Sequence, residues 1–408
     1  MKTIFRFYFF TILIMILLVL TFSGCQYSPG EASATVVPNL AVTGIPSNVT
    51  AITLTVSGPG MNTIVVNYSS PPSSINVEVP AGADRQFELI AYVSDQSAAL
   101  SFIGTATADL APGVPKKITL NMGLHETKLV IPDYTGNKLI QIDDISGTGW
   151  KIMDNTTIGW PLLAYFAPYD VDFDSQGRIY IANNYNLAAG YRRVVRIDSV
   201  NGDNLLLFPD KGTSIVALSV DRINDYVYYS AGTQLWRTNL DGAGEISFTL
   251  TGIGTIRGMA IDENGMLYIA GTDLTPNPRI FQYNPTTQNV TATYPTNLIT
   301  PWDILVKQDY LYIANPGGAS DLNIIRLNKD LASPIGYGSY GTDTSKGTFY
   351  GARRFVAILN KKITIIDDDD PGAYRDKLIS MDDINGTNWT TLPTTGDGQT
   401  LFKFYYEC

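Results

Sequence analysis

The chain has 408 residues, a net charge of −10 and only 16% charged residues, with 36 Gly, 24 Tyr and a single histidine, His125. The acidic balance argues against nucleic acid as a partner, because phosphate binding needs a basic surface. One histidine argues against multi-histidine metal sites and Ser-His-Asp catalysis, and the Gly-, Tyr-, Thr- and Asn-rich mixture favours strands and tight turns over helices.

Lys2 and Arg6 precede an apolar run from Phe7 to Leu20, followed by Thr21-Phe22-Ser23-Gly24-Cys25. A basic start, a short apolar stretch and small residues predict a secretory signal over 1–24, since a spanning helix needs ~20 apolar residues. Ser23-Gly24-Cys25 resembles the bacterial lipobox, with Phe22 where Leu is usual. That resemblance implies a lipoprotein of the bacterial cell envelope, with Cys25 as the lipidated first residue; the alternative is a plain secretion signal with a chance cysteine. Several acyl chains would anchor the chain stably, at ~0.8 kcal/mol per buried CH₂. Gln26, rather than Asp, follows the cysteine; by resemblance to Gram-negative sorting rules this implies the outer rather than the inner membrane. The second cysteine is Cys408. Lipid on Cys25 leaves no intramolecular disulfide, so core size must hold the exported fold together. Residues 25–35 read as the lipidated cysteine and a small, polar tether.

From 36 to 123 the pattern is alternation broken by turn signals. Ala51–Val56, Thr63–Asn67, Ile75–Val79, Phe87–Val93, Phe102–Ala108 and Lys117–Met122 read as strands, and Pro-Gly or Ser-Pro clusters separate them. About seven strands at this spacing predict a small β-sandwich. The segment resembles the Ig-like or fibronectin-like modules that follow lipid anchors, which implies a spacer, or an adhesion module as the alternative.

From 124 to 408 the sequence repeats. Lys138-Leu-Ile-Gln-Ile-Asp-Asp-Ile-Ser-Gly-Thr-Gly-Trp150 is nearly copied by Lys377-Leu-Ile-Ser-Met-Asp-Asp-Ile-Asn-Gly-Thr-Asn-Trp389. Related runs end in Asp198, Asn239, Asn284 and Asn328. A second series, including Arg178–Ala182, Tyr226–Ser230, Met266–Ala270 and Tyr310–Ala314, runs ahead of the first in the same order. Six copies of 40–55 residues, with four strands each, predict a six-bladed β-propeller, in which radial packing covers both faces of every sheet. The pattern apolar-x-Asp-x-x-Gly-x-Leu-Tyr-Ile-Ala resembles the NHL, YVTN and senescence-marker-protein-like propellers over 127–408, and implies fold rather than activity. The first blade starts at its second strand, so the terminal run Leu401–Cys408 is expected to supply its innermost strand and close the ring. The expected fold class is therefore all-β, a small sandwich followed by a propeller closed by the C-terminal strand. Cys408 reads as a small residue on that strand rather than a redox centre.

Two places carry candidate chemistry. Long loops on one face hold Trp160, Tyr165, Phe166, Tyr185, Tyr191, Tyr337, Tyr340, Phe349, Tyr350 and Tyr374, rings suited to stacking on a glycan or gripping a peptide, or to folding back on blade edges. The channel mouth gathers Tyr169, Asp170, Arg257, Trp302, Asp303, Arg353 and Arg354, a set that could hold a polar ligand or a cation, or pair internally. Asp170 and Asp303 fall on opposite blades and are the candidate metal ligands, for Ca²⁺ or another divalent cation. Lactonase-type propellers use a Glu/Asn/Asp set around a metal, and the Glu has no counterpart here. The run Asp367–Asp370 lacks the alternation and distal Glu of an EF-hand loop.

Two functions are consistent with this reading. The first is a membrane-anchored lipoprotein whose propeller is a platform for protein, peptide or glycan, with no cofactor and no enzymatic activity. The alternative is a metal-dependent propeller hydrolase or lyase with Asp170 and Asp303 at the channel mouth.

Overall fold

A computed structural model describes residues 34–393, apart from 44–48, 71, 73–74, 94–99, 127, 135, 144, 146, 155–165, 186–190, 296–297, 308, 317–321, 341–345, 350, 357–361 and 368–376. The leader, Cys25 and the segment Leu401–Cys408 lie outside the described residues, as do Trp160, Tyr165, Tyr350 and Tyr374. Among the described residues the secondary structure consists of strands and turns.

The N-terminal part is a two-layer β unit. Its larger sheet has five strands in the order Ile64–Tyr68, Val49–Ser57, Gly82–Val93, Leu100–Leu110, Gly123–Glu126. The last of these extends the sheet past the expected boundary at 123, by antiparallel pairing of Gly123–Glu126 with Leu100–Leu110. Facing it, Asn39–Thr43 runs parallel to Lys117–Asn121. Alternation explains the core: Ile52, Leu54 and Val56 point one way from their strand, as do Phe87, Leu89 and Ala91, and they meet Leu40, Ile118 and Leu120. Arg85 is buried here, and its guanidinium donates to the carbonyls of Pro80 (2.9 Å), Pro59 (2.6 Å) and Ala81 (2.8 Å). Those bonds offset the cost of burying the charge.

The remainder forms a ring of six antiparallel sheets, five with four strands and the first with three among the described residues. Blade one comprises Leu129–Asp133, Lys138–Ile142 and Lys151–Asp154. The innermost strands of blades two to six are Pro168–Phe173, Leu218–Asp221, Ile253–Ile261, Asp303–Lys307 and Ala352–Val356. The first series of repeats becomes the third strand of each full blade and the second series the second strand, as in blade two with Arg192–Ile197 and Ile179–Asn184.

Period-two alternation assigns each second-strand side chain to one of two neighbours. Ile179 and Ile181 pack toward blade one with Val130, Leu139 and Met153. Tyr180 and Ala182, on the opposite face, pack against Leu218, Val220 and Val227 of blade three. Blades four and five repeat this split, through Leu267 and Ile269 against Tyr268 and Ala270, and through Leu311 and Ile313 against Tyr312 and Ala314. The last core closes the ring. Leu129, Ile131, Ile140 and Ile142 of blade one meet Val356, Ile366, Leu378 and Leu392 of blade six. Each such fully buried side chain contributes roughly 1.5–3 kcal/mol relative to exposure, and no blade has both faces covered without two neighbours.

Polar motifs in the repeats are explained by turns and staples. Asp174 Oδ1 accepts from the N–H groups of Gln176 and Arg178, and Asp262 Oδ1 accepts from those of Asn264 and Met266. The tyrosine six residues later reaches the next blade: Tyr180 Oη is 3.0 Å from Leu240 O, and Tyr268 Oη is 3.1 Å from Lys329 O. Between third and fourth strands, Asp143, Asp198 and Asp382 each donate their N–H to the carbonyl five residues on, at 2.8–2.9 Å. That turn needs two left-handed residues, supplied by Gly147 and Gly149, Gly202 and Asn204, and Gly386 and Asn388. The near-identity of blades one and six extends inward to an ion pair at the same register, Lys138 with Asp133 at 3.5 Å and Lys377 with Asp367 at 3.2 Å.

Candidate functional site

Inner strands face a shared axis and leave one edge without a strand partner. Their free N–H groups must find other acceptors. Short polar side chains on the preceding blade supply them. Asp170 Oδ2 accepts from Leu218 N (2.8 Å), Asp172 Oδ2 from Val220 N (2.8 Å), Ser219 Oγ from Ile261 N (3.1 Å) and Asp303 Oδ2 from Phe355 N (3.0 Å). Each bond runs from one blade to the next.

Strand register identifies one layer of the channel. Asp170, Gly258, Asp303 and Arg354 pair respectively with Ala182, Ala270, Ala314 and Ile366 on their second strands. In this layer Asp170, Asp303 and Arg354 are 7%, 4% and 3% exposed. The Arg354 Nη1 lies 3.1 Å from Asp170 Oδ1, and its Nη2 donates to Val216 O at 2.8 Å. One side chain from blade six thus reaches blades two and three. Its guanidinium carbon also sits 4.3 Å from the Tyr169 ring centroid, and Tyr169 packs edge-on against Tyr134.

The two carboxylates are engaged on both oxygens. Besides the bonds to the next blade, Asp170 Oδ1 accepts from Val171 N and Asp303 Oδ1 from Ile304 N, both at 2.9 Å. Burial pushes the Asp170 carboxyl above the ordinary carboxylate range, against the opposing pull of Arg354 and the backbone donors. Burial likewise pushes Asp303 up to about 7, with Arg354 opposing and Asp170 adding to the rise. Tyr169 is raised by burial too, opposed first by Arg354. The pair expected as metal ligands therefore meets backbone N–H donors and a guanidinium, groups that repel a cation, and the donor set does not fit a divalent ion. Among the described residues no three His, Cys, Asp or Glu side chains gather into a metal-binding group.

Beneath this layer lies a channel cavity of about 360 Å³. Its wall mixes apolar residues such as Val171, Val220, Ile261, Val306 and Val356 with the acids Asp170, Asp172, Asp221, Asp262, Glu263 and Asp303. At its far end Arg222 Nη2 pairs with Asp172 Oδ1 at 2.8 Å. Above the layer, at the strand entrances, are Arg257, Trp302 and Arg353, all half-buried. The guanidinium carbons of Arg257 and Arg353 each lie 5.1 Å from the Trp302 ring centroid, within cation–π range. Gly258 permits this approach: a Cβ there would sit 2.5 Å from Asp303 Cα and 2.7 Å from Trp302 O.

The structure thus brings all seven mouth residues to one end of the channel, in two layers of different character. The loop aromatics divide. Phe166 and Phe349 are core residues, and Tyr337 packs on Phe349 and Trp389. Tyr185 and Tyr191 remain half-buried and meet edge-on at 6.5 Å. The sequence did not mark Asp172 and Ser219 as parts of the channel; the alternation Val171-Asp172-Phe173 was the available signal, because it points Asp172 to the same side as Asp170.

No family model matches the chain, and no curated protein matches it. Solved structures do show similarity. A nidogen/laminin complex chain is 14% identical, with 65% of this chain and 92% of that one covered and a TM-score of 0.49. A protein of unknown function from Bacteroides caccae is 13% identical, with 68% and 97% covered and a TM-score of 0.48. A hydrazine synthase chain from Kuenenia stuttgartiensis is 12% identical, with 55% and 66% covered and a TM-score of 0.38.

Proposed function

We propose that this chain is a lipoprotein of the bacterial cell envelope, held at the outer membrane through Cys25, and that its propeller is a binding platform for protein, peptide or glycan. The N-terminal β unit serves as an Ig-like spacer between membrane and platform. The observation that carries the platform reading is the fate of Asp170 and Asp303. All four of their carboxylate oxygens accept backbone N–H bonds, and Arg354 pairs with Asp170. Groups committed to joining blades hold the ring in one shape, while recognition falls to the half-buried arginines and aromatics above them.

The anchor is tested on the full-length chain expressed with its leader. Intact-mass analysis is expected to find a mature chain starting at Cys25 and carrying diacylglyceryl and acyl groups. Cys25→Ala is expected to move the protein from the membrane to the soluble fraction. A mature form that starts elsewhere, or an unmodified Cys25, overturns this part. The platform is tested by assaying lactone and ester hydrolysis with added Ca²⁺. Turnover that disappears in Asp170→Asn and Asp303→Asn, with folding intact, overturns it in favour of a metal-dependent hydrolase.

A further inference from the structure

A sheet edge exposes unpaired N–H and C=O groups, and proteins protect such edges with charge, proline, bulges or short strands. Among the described residues, most outer edges of the sheets with three or more strands follow that rule. Blade one ends on Lys151–Asp154, charged at both ends. Blades two, three and five end on strands of two or three residues, Leu206–Leu207, Ile246–Phe248 and Ile335–Tyr337. Blade four ends on Asn289–Tyr294, whose pairing shifts register between Gln282 and Tyr283. Blade six ends on Thr390–Pro393, which closes with proline. The N-terminal five-stranded sheet ends at one side on Gly123–Glu126, with an acid at its tip.

The other edge of that sheet is the exception. Ile64–Tyr68 pairs residue by residue with Ile52–Val56 and has no bulge, and among the described residues no strand lies beyond it. It holds no proline and no charge, and no charged residue occurs anywhere between Glu31 and Glu78. Its side chains alternate. Ile64, Val66 and Tyr68 are half-buried against the core, whereas Asn67 and Val65 are exposed, Val65 at 56%.

We infer that Ile64–Tyr68 is a dimer edge, which pairs antiparallel with the same strand of a second copy of this chain. A two-fold axis at Val66 sets Val66 opposite Val66 and Ile64 opposite Tyr68 on the core side, and Val65 opposite Asn67 on the other. The half-buried three then gain the cover that an edge strand lacks, through β-branched and aromatic cross-strand pairs. Charge favours a second copy at this place. Two chains of net charge −10 repel each other, and a segment free of charge lets them meet where that repulsion is least. Two strands of this length make a small interface, so the dimer is weak and depends on concentration. The pairing is independent of what the propeller binds.

The test uses the detergent-solubilised full chain with a cysteine placed at the axis. Val66→Cys is expected to form a disulfide-linked dimer under mild oxidation, because directly opposed residues of paired strands lie within disulfide reach. Val114→Cys, at a position 54% exposed in the same unit, is the comparison. The unsubstituted chain gives the background from Cys25 and Cys408. Adding Val65→Lys to Val66→Cys is expected to cut the dimer about tenfold or more, since a lysine blocks an edge. Asn67→Lys, at the facing position, is expected to do the same. Val65→Lys combined with Asn67→Asp is expected to restore the dimer, because residue 65 of one copy faces residue 67 of the other in this register. Thermal melting of each variant separates lost pairing from lost folding. Three results overturn the inference: Val66→Cys crosslinking no faster than Val114→Cys, a dimer unchanged in both folded lysine variants, or no recovery with Asn67→Asp. A different protein seated on this edge while the chain stays monomeric overturns it as well.

Discussion

Arg354→Met tests whether the buried Asp170–Arg354 contact holds the ring together. Methionine retains most of the side-chain length and none of the charge. The change deletes the 3.1 Å contact to Asp170 Oδ1, the 2.8 Å bond to Val216 O and the cation over Tyr169. Asp170, 7% exposed, is left with its backbone donors and no counter-charge. Breaking a buried pair by removing one partner costs about 3–5 kcal/mol. That is a large share of the roughly 5–15 kcal/mol that holds a domain folded. Urea denaturation followed by intrinsic fluorescence measures it, with Asp170→Asn and the double variant completing a cycle. Asp170→Asn still offers one amide oxygen to Leu218 N, so the double variant is expected to be more stable than the sum of the single losses predicts. The deficit of Arg354→Met is also expected to grow from pH 5 to pH 8, because the orphaned carboxyl tolerates protonation better than charge. A loss below about 1 kcal/mol, or strict additivity with Asp170→Asn, would refute the reasoning.

Asp303 sets an unusual pH slope. Its carboxyl is raised from 3.8 to about 7 by burial, so between those values the folded state binds more protons than the unfolded state. Stability from this group is full below 3.8 and is lost as pH rises toward about 7, the reverse of an ordinary ion-paired carboxylate. Denaturation midpoints measured from pH 4 to pH 8 are expected to fall, and Asp303→Asn is expected to flatten that decline; a parallel profile in the variant would assign the slope elsewhere. Gly258→Ala places a Cβ 2.5 Å from Asp303 Cα, a backbone contact that cannot swing aside. It is expected to lower stability by about 1–3 kcal/mol through overpacking. A melting curve unchanged from that of the unsubstituted protein would show that blades four and five are not held that closely.

Local pattern carried much of the fold. Repetition marked strands such as Ile179–Asn184 and Tyr310–Ala314, and a side chain's face then follows directly from its place along the strand. Recurrence of those strands in two ordered series counted the blades, and the Asp-x-x-Gly turns of blades two and four close on their own backbone within four residues. The mouth residues were legible as a group for the same reason: they begin the inner strands, and inner strands share an axis.

Their roles were not legible. Asp170 and Leu218 are 48 residues apart, Asp303 and Phe355 are 52 apart, and Arg354 reaches Val216 across 138. Nothing local distinguishes an aspartate that accepts a neighbouring blade's N–H from one that awaits a cation. Ring closure makes the distinction, by setting blade six across the channel from blades two and three so that one guanidinium can meet Asp170 and Val216 together. The same closure sets Arg257 against Trp302 of the next blade, a close approach that Gly258 allows. The chain alone determined that there would be six sheets with two apolar faces each. The tertiary structure decided which polar groups those sheets used to bind one another, because that depends on distances between residues far apart in sequence.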